Sequence, residues 1–380
     1  MQTLKLKDCC TIIAGQSPES KYYNTSGEGL PFFQGKADFG ELYPTIRIYC
    51  SQPTKIAEKD DILLSVRAPV GPTNLAPCQV CIGRGLTAIR PSDALNLKYV
   101  LSFFRYFEAQ LQQKGTGTTF KAITQDIIKN LEIPVPPLDE QERIVARIEE
   151  LFSQLDSGVE TLRKTKQQLA VYRQAVLKEA FSVCSEHVTI ASITQHVTDG
   201  DHMPPPKADS GVPFIMISNI EGNIICWENT AFVNRNYYES IDCKRKPQIG
   251  DVLYTVTGSY GIPVLVDFDK EFCFQRHIAL LRPKDTVEQK YLYYSLMEPG
   301  VFAQATKGAT GTAQKTVGLG VLRRIEIPFI STRSEQIKIV ENIESKLSVC
   351  NSIEQTVDTA LQQAEAMRQS ILKQAFEGAL

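Results

Sequence analysis

The sequence contains no apolar run approaching the roughly 18 residues that a membrane span requires, and its opening, MQTLKLKDCC, has no apolar core of a secretory signal. These absences lead us to expect a cytoplasmic protein with no membrane partner. Histidine is scarce. None of the four, His187, His196, His202 and His277, sits with carboxylates at ligand spacing. The ten cysteines include one CxxC, Cys78 and Cys81, but neither a second CxxC nor a paired-histidine motif follows at zinc-site distance. We therefore expect no metal, and cysteines that pack as small hydrophobes. A phosphate-cradling Walker loop is missing too. The nearest approach, Gly29 to Gly35-Lys36, has five intervening residues where four are needed, and Ala37 in place of the magnesium-holding Ser or Thr.

A strong charge of either sign is also lacking. With 41 Lys and Arg against 43 Asp and Glu, the net charge is −2, which excludes a chain that coats nucleic acid indiscriminately. Only residues 1–138 are net positive, with 15 basic and 12 acidic residues. Any nucleic-acid binding must come from positioned side chains and a partner's charge. Hydrophobic residues at 43% and charged residues at 22% are ordinary for a globular chain, and 380 residues suggest two or three domains.

What the chain does have is one long internal repeat. DDILLSVRAPVG (60–71) reads against GDVLYTVTGSYG (250–261), which pairs Asp61 with Asp251, Leu63 with Leu253, Val66 with Val256 and Gly71 with Gly261. CIGRGLTAIRP (81–91) lies over CFQRHIALLRP (273–283), and Lys98-Tyr99 over Lys290-Tyr291. KGTGTTFK (114–121) matches the KGATGTAQK stretch (307–315), and LEIPVPPLDEQERIV (131–145) matches IEIPFISTRSEQIKIV (325–340). Both copies end alike, in RQAVLKEAF (173–181) and RQSILKQAF (368–376). From Glu140 to Phe181 and from Glu335 to Phe376 the offset stays at 195 without a gap, so the length of this stretch matters.

Each copy begins with short apolar segments rich in β-branched and aromatic residues, bounded by Gly and Pro, which read as strands and turns. Each then turns helical. Positions 144, 148, 151, 155, 158, 162, 165, 169, 172 and 176 form a 4,3-spaced stripe with eight apolar residues, and the same positions plus 195 form one with nine. Asp139 is the expected N-cap of the first helix, ahead of Glu142; Ser331, Thr332 or Ser334 is that of the second. The expected domains are 1–138, a helix over 139–181, a second domain over 182–330 and a helix over 331–380. The fold class is α+β, with two β-rich domains joined by two long antiparallel helices, an intramolecular coiled coil with a pseudo-two-fold repeat. A core helix within a bundle, or seams that pair between two chains, would produce the same stripe. About 42 residues at ~1.5 Å each make a rod near 60 Å. Such a rod with a domain at each end is a ruler, and its natural linear partner is duplex DNA with two half-sites about one ~34 Å turn apart or a multiple of it.

The PxPPLxEQxxIV entry to the first helix (Pro134, Pro136, Pro137, Leu138, Glu140, Gln141, Ile144, Val145), its weaker echo in Ser334-Glu335-Gln336-Ile337, and the twice-used RQxxLKxAF exit resemble the specificity subunits of Type I restriction-modification systems. The second copy departs from the pattern at Ile330-Ser331-Thr332-Arg333, where the PPL segment is missing. The resemblance implies that each domain reads one half of a split double-stranded DNA target. It implies that the helices set the gap and dock two modification (methyltransferase) subunits, and that restriction (endonuclease/translocase) subunits join them. The sequence shows no Asn-Pro-Pro-Tyr type tetrapeptide, no PD-(D/E)xK constellation and no Walker motif. We therefore expect no catalytic residues and no cofactor in this chain, with S-adenosylmethionine, ATP and magnesium on partner subunits. Two alternatives are the specificity component of a Type IIB-like enzyme and a non-DNA coiled-coil scaffold.

Base readout needs forked or amide side chains on exposed segments. In the first copy the candidates are Gln34 and Lys36, in a turn between apolar runs, Arg67 after a strand, and the loop residues Lys114, Thr116, Thr118 and Lys121. In the second they are Ser218 and Asn219, then Thr257, Ser259 and Tyr260, then Lys307, Thr310, Thr312 and Lys315. The loops could offer backbone N–H and hydroxyl groups to phosphates.

Overall fold

The repeat's apolar segment at 61–66 becomes the strand Ile62–Ser65, which is buried on both faces. Ile62 and Leu64 face a core built with the helix Leu97–Lys114, while Leu63 faces a second core with Phe33, Val80, Ile82 and Ala88. Double burial explains a continuous apolar run where a half-exposed strand would alternate. Val252–Thr255 repeats the arrangement, with Val252 and Tyr254 on one side and Leu253 on the other. The computed structural model describes residues 2–115, 122–202 and 205–378. It divides into two units, Met1–Leu162 with Thr359–Leu380, and Arg163–Asp358.

In the first unit a four-stranded antiparallel sheet runs in the order Cys10–Ala14, Leu86–Pro91, Ile62–Ser65, Thr73–Leu75. A five-stranded sheet stands beside it, in which Leu30–Phe33 runs parallel to Val80–Ile82. The second unit has the counterpart order Thr194–Asp199, Ile278–Pro283, Val252–Thr255, Pro263–Leu265, and in its other four-stranded sheet Val212–Ile215 runs parallel to Cys273–Phe274. Strand register is duplicated as well. Leu63 faces Ala88 and Leu253 faces Leu280.

An ion pair to a buried aspartate recurs at the same place. Arg90 donates to both oxygens of Asp61 at 2.7 and 2.8 Å, and Arg282 donates to both of Asp251 at 2.8 and 2.7 Å. Each carboxylate also accepts the backbone N–H three residues upstream, from Glu58 or Gln248, at 2.8 Å. Asp61 and Asp251 are each only 2% exposed. The pair thus ties a strand to its neighbour and to the turn that feeds it.

The long helices span Leu138–Phe181 and Arg333–Glu377. The first starts one residue before the expected cap. Asp139 lies inside the first turn, and the carbonyl of Pro137 accepts the Gln141 N–H at 3.0 Å. The second is preceded by Thr332, whose carbonyl accepts the N–H of Glu335 and Gln336; Ser334 lies inside the helix. Gln141 and Gln336, fully buried, explain the repeated Glu-Gln. The Gln141 amide accepts from Asn96 N–H at 2.8 Å and donates to the carbonyls of Ala94 and Pro136. Gln336 accepts from Glu288 N–H at 2.8 Å and donates to Ile330 at 2.7 Å, so the second entry keeps the clamp without the PPL segment.

Within each unit the two helix segments run antiparallel. In the first, Ile144 and Ile148 share a core with Ile371, Leu372, Ala375 and Phe376, and Arg368 pairs with Asp156. In the second, Lys166 pairs with Asp358 at 2.7 Å, Arg173 with Glu354 at 2.7 Å and Lys346 with Glu179 at 3.0 Å. One heptad position is covered throughout. Ile343, Cys350, Val357, Ala364 and Ile371 are all buried, and Ile148, Leu155, Leu162, Leu169 and Val176 are buried or half-buried. The alternate position is covered only in part. Gly158, Tyr172, Ile353 and Met367 are exposed, and the residue after three of them, Arg173, Glu354 or Arg368, turns inward to the cross-helix ion pairs.

Replacing Arg282 with Leu leaves the Asp251 carboxylate buried and unpaired, and should lower stability by about 3–5 kcal/mol. Urea unfolding followed by circular dichroism measures it. A loss below about 1 kcal/mol would contradict the structural role of the pair.

Candidate nucleic-acid interface

At the end of each central strand the chain makes the same turn. Ser65 Oγ donates to the carbonyls of Arg67 and Pro69 at 3.2 and 2.9 Å, and Thr255 Oγ1 donates to that of Ser259 at 2.7 Å. The residue after Val66 or Val256 then bridges to a distant loop, Arg67 to Ala122 and Thr257 to Thr316. Next to it lies a second turn, because Val66 N–H donates to the Gly85 carbonyl and Val256 N–H to that of His277, each at 2.9 Å. Three segments far apart in sequence therefore meet at one edge of each unit.

In the second unit Thr310 and Thr316 exchange backbone hydrogen bonds at 2.9 and 2.7 Å, closing a tight loop. Gly311 takes φ +106° there, and a Cβ would come within 2.4 Å of the Gln314 carbonyl. Thr312 and Lys315 are exposed on this loop, and the Lys315 carbonyl accepts Gly258 N–H at 2.9 Å. Thr310, Ser259 and Lys307, the last in the final turn of the helix Pro299–Gly308, are exposed too. Thr257 is half-buried and hydrogen-bonded to Thr316 Oγ1 at 3.3 Å. One candidate is corrected. Asn219 is buried: its Oδ1 accepts Met216 N–H at 3.0 Å and its Nδ2 donates to the Cys226 carbonyl, so the amide has no edge for a base. The half-buried Tyr260 ring stacks on Phe302 with centroids 5.9 Å apart and its hydroxyl meets Thr306. Ser218, beside Asn219, is exposed.

In the first unit Gln34, Lys36 and Arg67 are exposed, and Gln34 is held against the second turn. A Cβ on Gly85 would lie 2.2 Å from the Gln34 carbonyl. Lys36 sits near Glu108, whose carboxyl is raised by burial and pulled back down by that ammonium. The Lys114 ammonium lies over the Phe107 ring at 5.4 Å. Thr116, Thr118 and Lys121 lie outside the described residues.

Four residues missed by the sequence reading stand at these edges. Arg84 and Arg276 occupy the same column of the repeat and are exposed. In the second unit Arg276, His202 and His277 line two adjoining clefts of about 410 and 370 Å³. Thr257, Thr316 and Gln314 continue the first; Phe214, Met216 and Phe232 wall the second. His202 Nε2 lies 2.9 Å from Asp199, which also accepts from Arg245 at 3.1 Å, so the one carboxylate of the first cleft is already paired. Burial, reinforced by the Arg276 charge, pushes His277 below the ordinary histidine range and leaves a neutral ring with one donor and one acceptor at pH 7. The pairing of CIGRGLTAIRP with CFQRHIALLRP already aligned the two arginines. That neither side chain has an ion-pair partner among the described residues was the signal only the structure adds.

A duplicated mixed helix-and-sheet unit, with strand-end turns that offer polar side chains at one edge, defines a class of internally repeated two-unit proteins. The chain belongs to the Type I restriction modification DNA specificity domain family, whose model matches residues 1–170 and 201–363. It is 41% identical over 167 residues to the putative type I restriction enzyme MjaX specificity subunit of Methanocaldococcus jannaschii, a match that covers 44% of this chain and 38% of that protein. It is 22% identical over 382 residues to the EcoKI specificity subunit of Escherichia coli K12, covering 91% and 80%. Among solved structures, the HsdS subunit from Thermoanaerobacter tengcongensis is 50% identical over a match of 40% of this chain and 37% of that one, with a TM-score of 0.38.

Asn219→Ala should lower stability by about 1–3 kcal/mol, because it leaves Met216 N–H without its acceptor. It should leave any recognised DNA sequence unchanged. Thermal melts and methylation mapping check the two parts, and an altered sequence at full stability would return Asn219 to the interface.

Proposed function

We propose that the chain is the sequence-reading subunit of a Type I restriction-modification complex, and that each unit reads one half of a split DNA target. The observation that carries the reading is the repeated edge. Two units of one family build the same strand-end turn, the same neighbouring turn and the same bridge to a distant loop, yet fill them with different side chains: Gln34 and Arg67 in one, Met216 and Thr257 in the other. A shared scaffold with divergent tips suits two readers of unlike half-sites.

The long helices then act as an intramolecular antiparallel pair that relates the two readers by an approximate two-fold axis and sets the gap between the half-sites. Their exposed apolar residues, Tyr172, Val349 and Met367 among them, are where two methyltransferase subunits would dock. Restriction subunits join that core. Methyl transfer, with its S-adenosylmethionine, and ATP- and magnesium-dependent cleavage belong to those partners, and the chain itself does no chemistry. A net charge of −2 makes its binding alone weak, and the partners' charge completes the clamp on DNA.

Purified alone, the chain should neither methylate nor cut DNA; with its cognate methyltransferase it should direct adenine methylation at a bipartite sequence. Exchanging residues 1–138 for the same region of another family member should change one half of that sequence only. Genome-wide mapping of methylated bases reads both results. A continuous target, or one altered throughout, would contradict the reading.

A further inference from the structure

Most arginines in the two units are engaged. Arg90 and Arg282 hold buried aspartates, Arg245 reaches Asp199, Arg235 pairs with Glu239 and Glu271, and Arg173 and Arg368 bridge the helices. Arg84 and Arg276 differ. Neither forms an ion pair among the described residues, although they stand at equivalent positions in turns that belong to the repeated edge. Their backbones, by contrast, are fixed. Arg84 N–H donates to Ser17 Oγ at 3.2 Å between two glycines packed against Gln34, and Arg276 N–H donates to the Asp201 carbonyl at 3.1 Å.

A held main chain with an open guanidinium fork is what base readout requires. The fork matches guanine O6 and N7 in the major groove, and no other base edge there presents two acceptors side by side. A phosphate contact needs neither a fixed backbone nor a repeated position. The surroundings agree. Arg276 lines both a cleft of mixed character, with Thr257, Gln314 and Thr316 beside Val317 and Leu319, and one walled by Phe214, Met216 and Phe232, so its surroundings are not a run of lysines. Arg67, also exposed, has Thr257 as its counterpart, so it carries no repeated role.

We infer that Arg84 and Arg276 are equivalent specificity-determining residues, each reading one guanine in the half-target of its own unit. The inference rests on the proposed reading of a split DNA target and adds a base and a residue to each half. A bidentate arginine–guanine contact discriminates roughly 5- to 150-fold against other bases.

The test uses the full chain in complex with its cognate methyltransferase. Wild type, R84A, R84K, R276A and R276K are mapped for methylated bases in cells. A wild-type map without a bipartite motif defeats the functional reading itself, whatever the variants do. Given a bipartite motif, we expect a guanine in each half. R84A should accept other bases at one guanine of the first unit's half, R276A at one guanine of the other, and neither should disturb the opposite half. Both side chains are exposed, so folding should persist; the lysine variants keep charge and stem but lose the fork, and should relax the same positions. Three outcomes overturn the inference: an unchanged motif, relaxation in the wrong half or in only one of the two variants, or a uniform loss across all sequences with a salt-dependence slope smaller by about 0.9, the signature of a phosphate contact.

Discussion

The end of each long helix is buried in the unit where the other begins, and the rest of the structure depends on that constraint. Phe376, from the second helix, packs against Tyr99 at 5.1 Å and Phe103 at 5.6 Å in the first unit. Phe181, from the first helix, packs against Tyr291 at 5.4 Å in the second. Both tyrosines are fully buried, and each donates its hydroxyl to a carbonyl just before the local helix entry, Pro134 or Pro328, at 3.0 Å. Helix exit, helix entry and domain core are therefore one packed cluster in each unit. Aromatic pairs of this kind add about 0.5–1.5 kcal/mol beyond their buried area, and the arginine of the same RQxxLKxAF motif crosses to the other helix, to Asp156 or to Asn351.

That constraint explains why the repeat tolerates small insertions within its β-rich parts but none from Glu140 to Phe181 against Glu335 to Phe376. A residue added to one helix would turn its seam by about 100° and withdraw its phenylalanine from the tyrosine it must reach. Strand turns face no such penalty, since extra loop residues are accommodated on the surface.

The repeat made much of this legible in advance. Asp61 with Asp251, Arg90 with Arg282, Lys98-Tyr99 with Lys290-Tyr291 and the two RQxxLKxAF segments could all be paired by eye, and each pair has the same structural role in both units. The structure also shows the helices and their covered heptad position where the apolar stripe lies. The stripe could not reveal that Tyr172, Ile353 and Met367 are exposed, because the inward positions beside them carry Arg173, Glu354 and Arg368, which read as surface residues until the opposite helix supplies their partners. Asn219 was misjudged for a related reason: whether an amide is free depends on Met216 and Cys226 coming within reach, which is tertiary information. The second unit's clefts draw on residues near 199, 257, 276 and 314, and no local pattern announces such a convergence.

We propose that the helix pair sets the distance between two reading edges. Seven residues added to each helix, after Leu162 and after Val357, keep the heptad phase and lengthen the pair by about 10 Å, equivalent to roughly three base pairs. Mapping the methylated bases directed by this variant in complex with its methyltransferase tests the claim. The same two half-targets are expected with a gap wider by about two to four base pairs; an unchanged gap in a folded, active complex would contradict the proposal.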